Sequence, residues 1–279
     1  MDMRAIVVLL LFCCISGLYG ASFPYKPYCL ACVPSNCGRP RDPWDLLPGR
    51  TYGGSNSTRG RYPWHAIVYA DGQPIGGGAL VSCNFVLTTA YLVQDYRPTR
   101  LQVKLGKTDL DKESPTERTY AVYQRVLHPR WDPERDLYSY DLALLQLERV
   151  VDFPSANGYI NTICLPEPRV DAQGWLTLTS FGYDQQGRRN RLMQEVNILK
   201  LRGDQCPLFR NKPYAFCGVG KKSGICTGDR GSPVVQMAPT GEFTLVGVAN
   251  DYQCQPGGTD VYTQISYFLN FVCNIPVEV

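Results

Sequence analysis

Short apolar or alternating runs, broken by turn-forming residues, fill the chain from Trp64 onward. Trp64–Ala70, Phe85–Ala90, Leu101–Leu105, Tyr120–Leu127 and Leu142–Leu147 make a first set. Trp175–Ser180, Met193–Leu201, Pro233–Met237, Phe243–Val248 and Val261–Ile265 make a second. Clusters of Gly, Pro, Asp and Asn divide them, and runs this short between such breakers predict β-strands. Strands of this kind in succession point to an antiparallel sandwich or barrel. The pattern ahead of Trp64 is different. In residues 21–50 proline recurs at 24, 27, 34, 40, 43 and 48 and cysteine at 29, 32 and 37, with no apolar period. That composition predicts an extended or irregular segment. Residues 1–20 carry Arg4, an apolar run from Ala5 to Ile15 and then small or turn-forming residues to Gly20. They read as a secretory signal cleaved between Gly20 and Ala21, which makes the protein secreted and extracellular.

A length of 279 residues suits one large β domain or two small ones. The net charge of +3 is too slight to point to nucleic acid, and composition cannot place a basic patch on a fold. No stretch reaches the length of a membrane span. Loss of Cys13 and Cys14 with the signal leaves ten of the twelve cysteines, an even number that in a secreted chain predicts disulfides. Cys29-Leu-Ala-Cys32 has zinc-ligand spacing, but no second pair of ligands lies nearby, so disulfides are the reading and no metal or other cofactor is expected. Asn56-Ser-Thr58 is an N-glycosylation sequon in a polar turn. The two histidines are His65, placed beside Trp64 in a strand as partly buried packing, and His128, placed before Pro129 in a solvated loop.

Three segments carry candidate chemistry. Cys226-Thr-Gly-Asp-Arg-Gly-Ser-Pro233 resembles the Gly-Asp-Ser-Gly-Gly-Pro segment of the chymotrypsin-like serine proteases, with Gly228, Asp229, Gly231 and Pro233 keeping the frame. Arg230 stands in the nucleophile's place and Ser232 in that of the second glycine. Gly76-Gly-Gly-Ala-Leu-Val-Ser-Cys-Asn-Phe-Val-Leu-Thr-Thr-Ala-Tyr-Leu92 matches the segment bearing the histidine base, with Tyr91 at the base. Asp141-Leu-Ala-Leu-Leu145 matches the third segment, with its aspartate present. Their order is the family's, and the resemblance runs from about Thr51 to about Asn274.

The resemblance implies an all-β fold of two packed antiparallel β-barrels with a C-terminal helix over Ser266–Cys273. It divides the chain into a signal (1–20), a Pro/Cys-rich light chain or pro-segment (21–50) and a protease-like domain (51–279). Arg50-Thr51 matches the activation site, where cleavage frees an ammonium that inserts beside the aspartate matching Asp229; an uncut surface loop is the other reading. The implied bridges are Cys37–Cys164, tethering the light chain, Cys206–Cys217 and Cys226–Cys254. Another of the family's bridges is absent at both ends, which here are Gly76 and Leu92. Among the rest Cys29–Cys32 and Cys83–Cys273 are the first reading, with other pairings, or a bond to another chain, left open. In the specificity pocket, Gly224 replaces the trypsin-type aspartate. Asp260 falls at a lining glycine, and Asn250-Asp251-Tyr252 replaces Ser-Trp-Gly, so Tyr252 and Asp260 are expected to fill or narrow the pocket.

Acyl transfer needs a hydroxyl nucleophile with a base in reach. A guanidinium accepts no proton, and a phenol with a pKa of roughly 10 is no base near neutrality. Loss of serine or histidine typically costs about six powers of ten in turnover. The expectation is therefore a protease fold without protease chemistry, in which Asp141 accepts a hydrogen bond from the Tyr91 phenol. Its partners would be secreted proteins, among them proteases or zymogens of an extracellular cascade. A recognition or adhesion protein for microbial or matrix surfaces is the second reading, and a hydrolase with non-standard residues the third. The oligomeric state is not legible.

Overall fold

The computed structural model describes residues 35–42, 55–136, 138–184, 186–206, 212–220, 225–251, 254 and 257–273. The expected signal, Cys29, Cys32, Arg50, Thr51, Gly224 and Tyr252 lie outside the described residues, as does the side chain of Asp251.

Two closed antiparallel barrels follow one another along the chain. The first is built from β2 (His65–Ala70), β3 (Gln73–Leu80), β4 (Phe85–Thr88), β5 (Leu101–Leu105), β6 (Arg118–Leu127) and β7 (Ala143–Leu147), in the order β2-β3-β4-β7-β6-β5. The second contains β8 (Trp175–Ser180), β9 (Gln194–Lys200), β10 (Ala215–Gly220), β11 (Pro233–Met237), β12 (Phe243–Asp251) and β13 (Thr259–Gln264), in the order β9-β10-β13-β12-β11-β8. The pairing of β8 with β9 closes it, and the short β1 (Ser55–Asn56) lies along β9. Closure pairs every barrel strand on both sides and leaves no long open edge. Where a strand has one wet face the sequence alternates: in β5, Leu101, Val103 and Leu105 are buried, while Gln102 and Lys104 are more open. In β2, β4 and β7 both faces are covered and the alternation disappears.

β3 was not expected as a strand, because its centre is Gly76-Gly77-Gly78. The glycines are there for space. A Cβ on Gly77 would fall 2.3 Å from Ser232 Oγ, and one on Gly76 would fall 2.5 Å from the carbonyl oxygen of Arg230. The first barrel thus presents bare backbone to a loop of the second, and Gly77 N–H donates to Arg230 O at 3.0 Å. Away from this seam, Tyr62 and Trp64 pack on Phe243 with ring centroids 5.6 and 5.4 Å apart.

The segment 35–42 forms a strap across both barrels. Gly38 N–H donates to Thr162 O at 2.7 Å, and Phe243 N–H donates to Gly38 O at 2.8 Å. Gly38 has φ +67°, and a Cβ there would lie 2.0 Å from Phe243 O, so only glycine fits. Cys37–Cys164 ties the strap down. At the other end, the helix expected over Ser266–Cys273 is two pieces: a 3-10 turn, Ile265–Tyr267, and an α-helix, Leu269–Cys273. Phe268 breaks it at φ −105°, ψ 13°, where its buried ring packs on His128 and Tyr140.

Candidate functional site between the barrels

Tyr91, Asp141 and Arg230 come together where the barrels meet. Tyr91 sits in the one-turn helix Ala90–Val93 that follows β4, and Asp141 lies just ahead of β7. Arg230 is carried on a tight loop of the second barrel between Gly228 at φ +85° and Gly231 at φ +83°. A Cβ on Gly231 would fall 2.3 Å from both Gly77 O and Thr88 Oγ1, so the loop can press against β3 only as glycine. Asp141 is fully buried. Its Oδ1 accepts the Tyr91 backbone N–H at 2.7 Å, and its Oδ2 accepts Arg230 Nη1–H at 3.2 Å. The same Nη1 donates to Asn250 Oδ1 at 3.2 Å, and Asn250 Nδ2 donates to Thr263 Oγ1 at 3.0 Å. The guanidinium carbon stands 4.2 Å from the centroid of the Tyr91 ring, which is 44% exposed.

This corrects the expectation for Tyr91. Its amide, not its phenol, reaches Asp141; the ring turns outward and serves as a platform for the guanidinium. Burial raises the Asp141 pKa to about 7, while the Tyr91 amide and the Arg230 charge pull it down. Asn250 is the partner that sequence reading missed; it was noticed only as part of an altered strand. Ser232 is 1% exposed, beneath Gly77, and its hydroxyl has no hydrogen-bond partner among the described residues. Leu92 occupies the space left by the missing bridge, for a Cβ on Gly76 would come within 2.7 Å of Leu92 Cδ2.

The sequence profile of the trypsin family matches residues 51–272, which spans all three segments. The chain belongs to the trypsin family. It is 28% identical over 217 residues to mouse ovochymase-2, covering 73% of this chain and 35% of that protein. It is 29% identical over 259 residues to human atrial natriuretic peptide-converting enzyme, covering 87% of this chain and 24% of that protein. With guinea-pig coagulation factor IX it shares 25% identity over 241 residues, covering 80% of each. The chain therefore spans about a third and a quarter of the first two relatives.

In this trypsin-family chain Asp229 is buried beside Gly182, where a Cβ would fall 1.9 Å from Oδ1. Its Oδ2 accepts the Cys226 N–H at 2.7 Å, and Oδ1 makes no well-aligned hydrogen bond among the described residues. Burial raises its pKa to about 6, offset in part by the nearby Ser180 hydroxyl, the Cys226 and Gly182 amides and the charge of Arg189. Asp260 is fully buried and its Oδ2 accepts the Ile225 N–H at 2.9 Å, so this carboxylate faces the chain's own backbone. Together with Asp229 it helps push the buried Tyr262 phenol well up, after burial itself. Asp251 ends β12 in register with Val261. Asn56 lies exposed in β1, its Oδ1 accepting from Gln194 at 2.8 Å.

The bridges Cys206–Cys217 and Cys226–Cys254 form alongside Cys37–Cys164. Cys83 and Cys273 are also in disulfides, but the bridge expected between them is not among those that join described residues. Both histidines differ from expectation. His65 is completely enclosed between the barrels, its Nδ1 2.9 Å from Thr179 Oγ1, and burial lowers its pKa to about 3. His128 is half-buried rather than solvated, because Tyr140, Phe268 and Phe271 pack around it, and burial with the Arg130 charge lowers its pKa to about 4.

Proposed function

We propose that this trypsin-family chain is a secreted protein that acts by binding other proteins and does not cleave peptide bonds. The observation that carries this is the Arg230–Asp141 pair under the Tyr91 ring. In the matched positions a protease keeps a hydroxyl, an imidazole and the carboxylate that orients it. Here the carboxylate is bonded to a cation that cannot take a proton, and Ser232 is packed away from the cleft. A fold that has lost its chemistry can persist as a scaffold, since function resides in sites rather than folds. The partners we propose are proteases or zymogens of an extracellular cascade.

Processing at Arg50 would be the switch in this reading. The burial of Asp229 supports it, because burial raises the carboxyl's pKa and a new ammonium beside it would stabilise the charged form. The test has two parts. Purified protein, before and after trypsin treatment, is assayed on a broad peptide library; turnover that survives purification and vanishes in Asp141→Ala would end the non-catalytic reading. The mature protein is then used for affinity capture from its native fluid. Enrichment of proteases or zymogens supports the cascade role, and enrichment of glycans or matrix proteins alone favours surface recognition.

A further inference from the structure

Four arginines lie close together in sequence in two short segments, Arg39 and Arg41 in the strap and Arg59 and Arg61 ahead of β2. Two of them are neutralised: Arg39 pairs with Glu242, and Arg61 pairs with Glu195 at 3.1 Å. The other two are held by neutral oxygens. Arg41 Nε donates to Asn157 O at 3.2 Å, and Arg59 Nε and Nη2 donate to Thr116 Oγ1 at 3.2 and 3.0 Å. Neither has a carboxylate in ion-pair distance among the described residues, and both are exposed. Yet both guanidiniums stand over one ring, that of Tyr159, at 4.2 and 4.5 Å from its centroid.

The placement is fixed by the backbone. Gly60 has φ +84° and Gly158 φ +76°; a Cβ on Gly60 would lie 3.0 Å from Arg41 Cβ and 3.2 Å from Tyr159 Cδ1, and one on Gly158 3.1 Å from Arg41 Cγ. The stem of Arg41 therefore runs through a slot that two glycines keep open. Arg41 N–H also donates to Gly60 O at 2.9 Å, and Cys37–Cys164 anchors the strap that carries it. Two like charges held on one ring repel, and no carboxylate among the described residues pairs with either. A guanidinium presents a flat, weakly hydrated fork of donors that fits the oxygens of an oxyanion two at a time.

We propose that Arg41, Arg59 and Tyr159 form a binding site for the sulfate ester groups of a polysaccharide. A sulfate ester stays ionised at any biological pH and turns three oxygens outward, which suits two forks fixed on one ring. Both arginines are exposed and the ring between them is half-buried, so a long anionic chain lying across them is the fitting occupant. The proposal is independent of what the cleft does.

The experiment uses the full secreted chain on immobilised heparin, eluted by salt. Arg41→Ala with Arg59→Ala should elute early and lower the slope of log affinity against log salt by about two, roughly one for each lost contact. Arg202→Ala with Lys212→Ala, which removes the same charge elsewhere, should leave elution nearly unchanged. Arg41→Lys with Arg59→Lys keeps charge and stem but loses the forks, and should bind several-fold more weakly. Fully desulfated heparin and hyaluronan should fail to displace the protein. The proposal is overturned if the alanine pair elutes with its charge-matched control, if the lysine pair binds as the parent does, or if the unsulfated chains compete as well as heparin.

Discussion

Arg230 replaces a small neutral side chain with a cation, and the consequence is electrostatic. Burial raises Asp141 from its ordinary 3.8 to about 7, so its contribution to stability is full below pH 4 and is lost as pH rises through 7. Arg230 opposes that loss. Arg230→Ser should therefore destabilise the fold by about 3–5 kcal/mol at pH 8, where a buried carboxylate loses its cation, and by clearly less at pH 5. Chemical denaturation at the two pH values checks this; an equal loss at both would mean that the pair is not electrostatic. His65 runs the other way. Its pKa falls from 6.5 to about 3, so its stabilisation is present above pH 6.5 and is lost as pH falls toward 3. That amounts to about 3 kcal/mol by pH 4. His65→Gln, which keeps a partner for Thr179 but does not titrate, should flatten the acid limb of the stability curve by that amount.

Among the elements, β3 shows best what a sequence hides. Ten of the strands announced themselves by apolar runs, since Val, Leu and Ile fill the barrel interiors. β3 did not, because Gly76 and Gly77 serve contact between the barrels and Gly78 leaves room for Val86 within the first. β10 was interrupted by Gly218 and Gly220, and β1, of two residues, is too short to show a pattern. The resemblance to the protease family located Tyr91, Asp141 and Arg230, but no one-dimensional signal tells a phenol from the amide behind it. The Asp141–Tyr91 contact and the role of Asn250 depended on the turn of one short helix and one loop. The seam gives its own prediction. Gly77→Ala would drive a methyl group into Ser232, whose Cα lies 2.7 Å from the new Cβ, and should cost about 1–3 kcal/mol of stability by overpacking. Thermal unfolding would show it, whereas Gly72→Ala meets nothing within 4 Å and pays only for its positive φ.

For the whole molecule, the barrels are closed units and the strap joins them from outside. If Arg50 is cut, the strap should stay attached through Cys37–Cys164, so the two pieces should separate on a gel only with reductant; separation without it would refute the tether. The same bridge carries a kinetic consequence. Cys206–Cys217 and Cys226–Cys254 span 11 and 28 residues, whereas Cys37–Cys164 spans 127. Short loops close sooner, because chain closure costs more entropy with length. During oxidative refolding the two local bridges should thus be trapped while the second barrel is assembling, and the long one should close only after the first barrel stands between its ends. A nascent chain would then pass through a stage in which both barrels exist and the strap hangs loose, open to miscoupling by any other thiol. An oxidoreductase that reshuffles disulfides should therefore speed this last closure most.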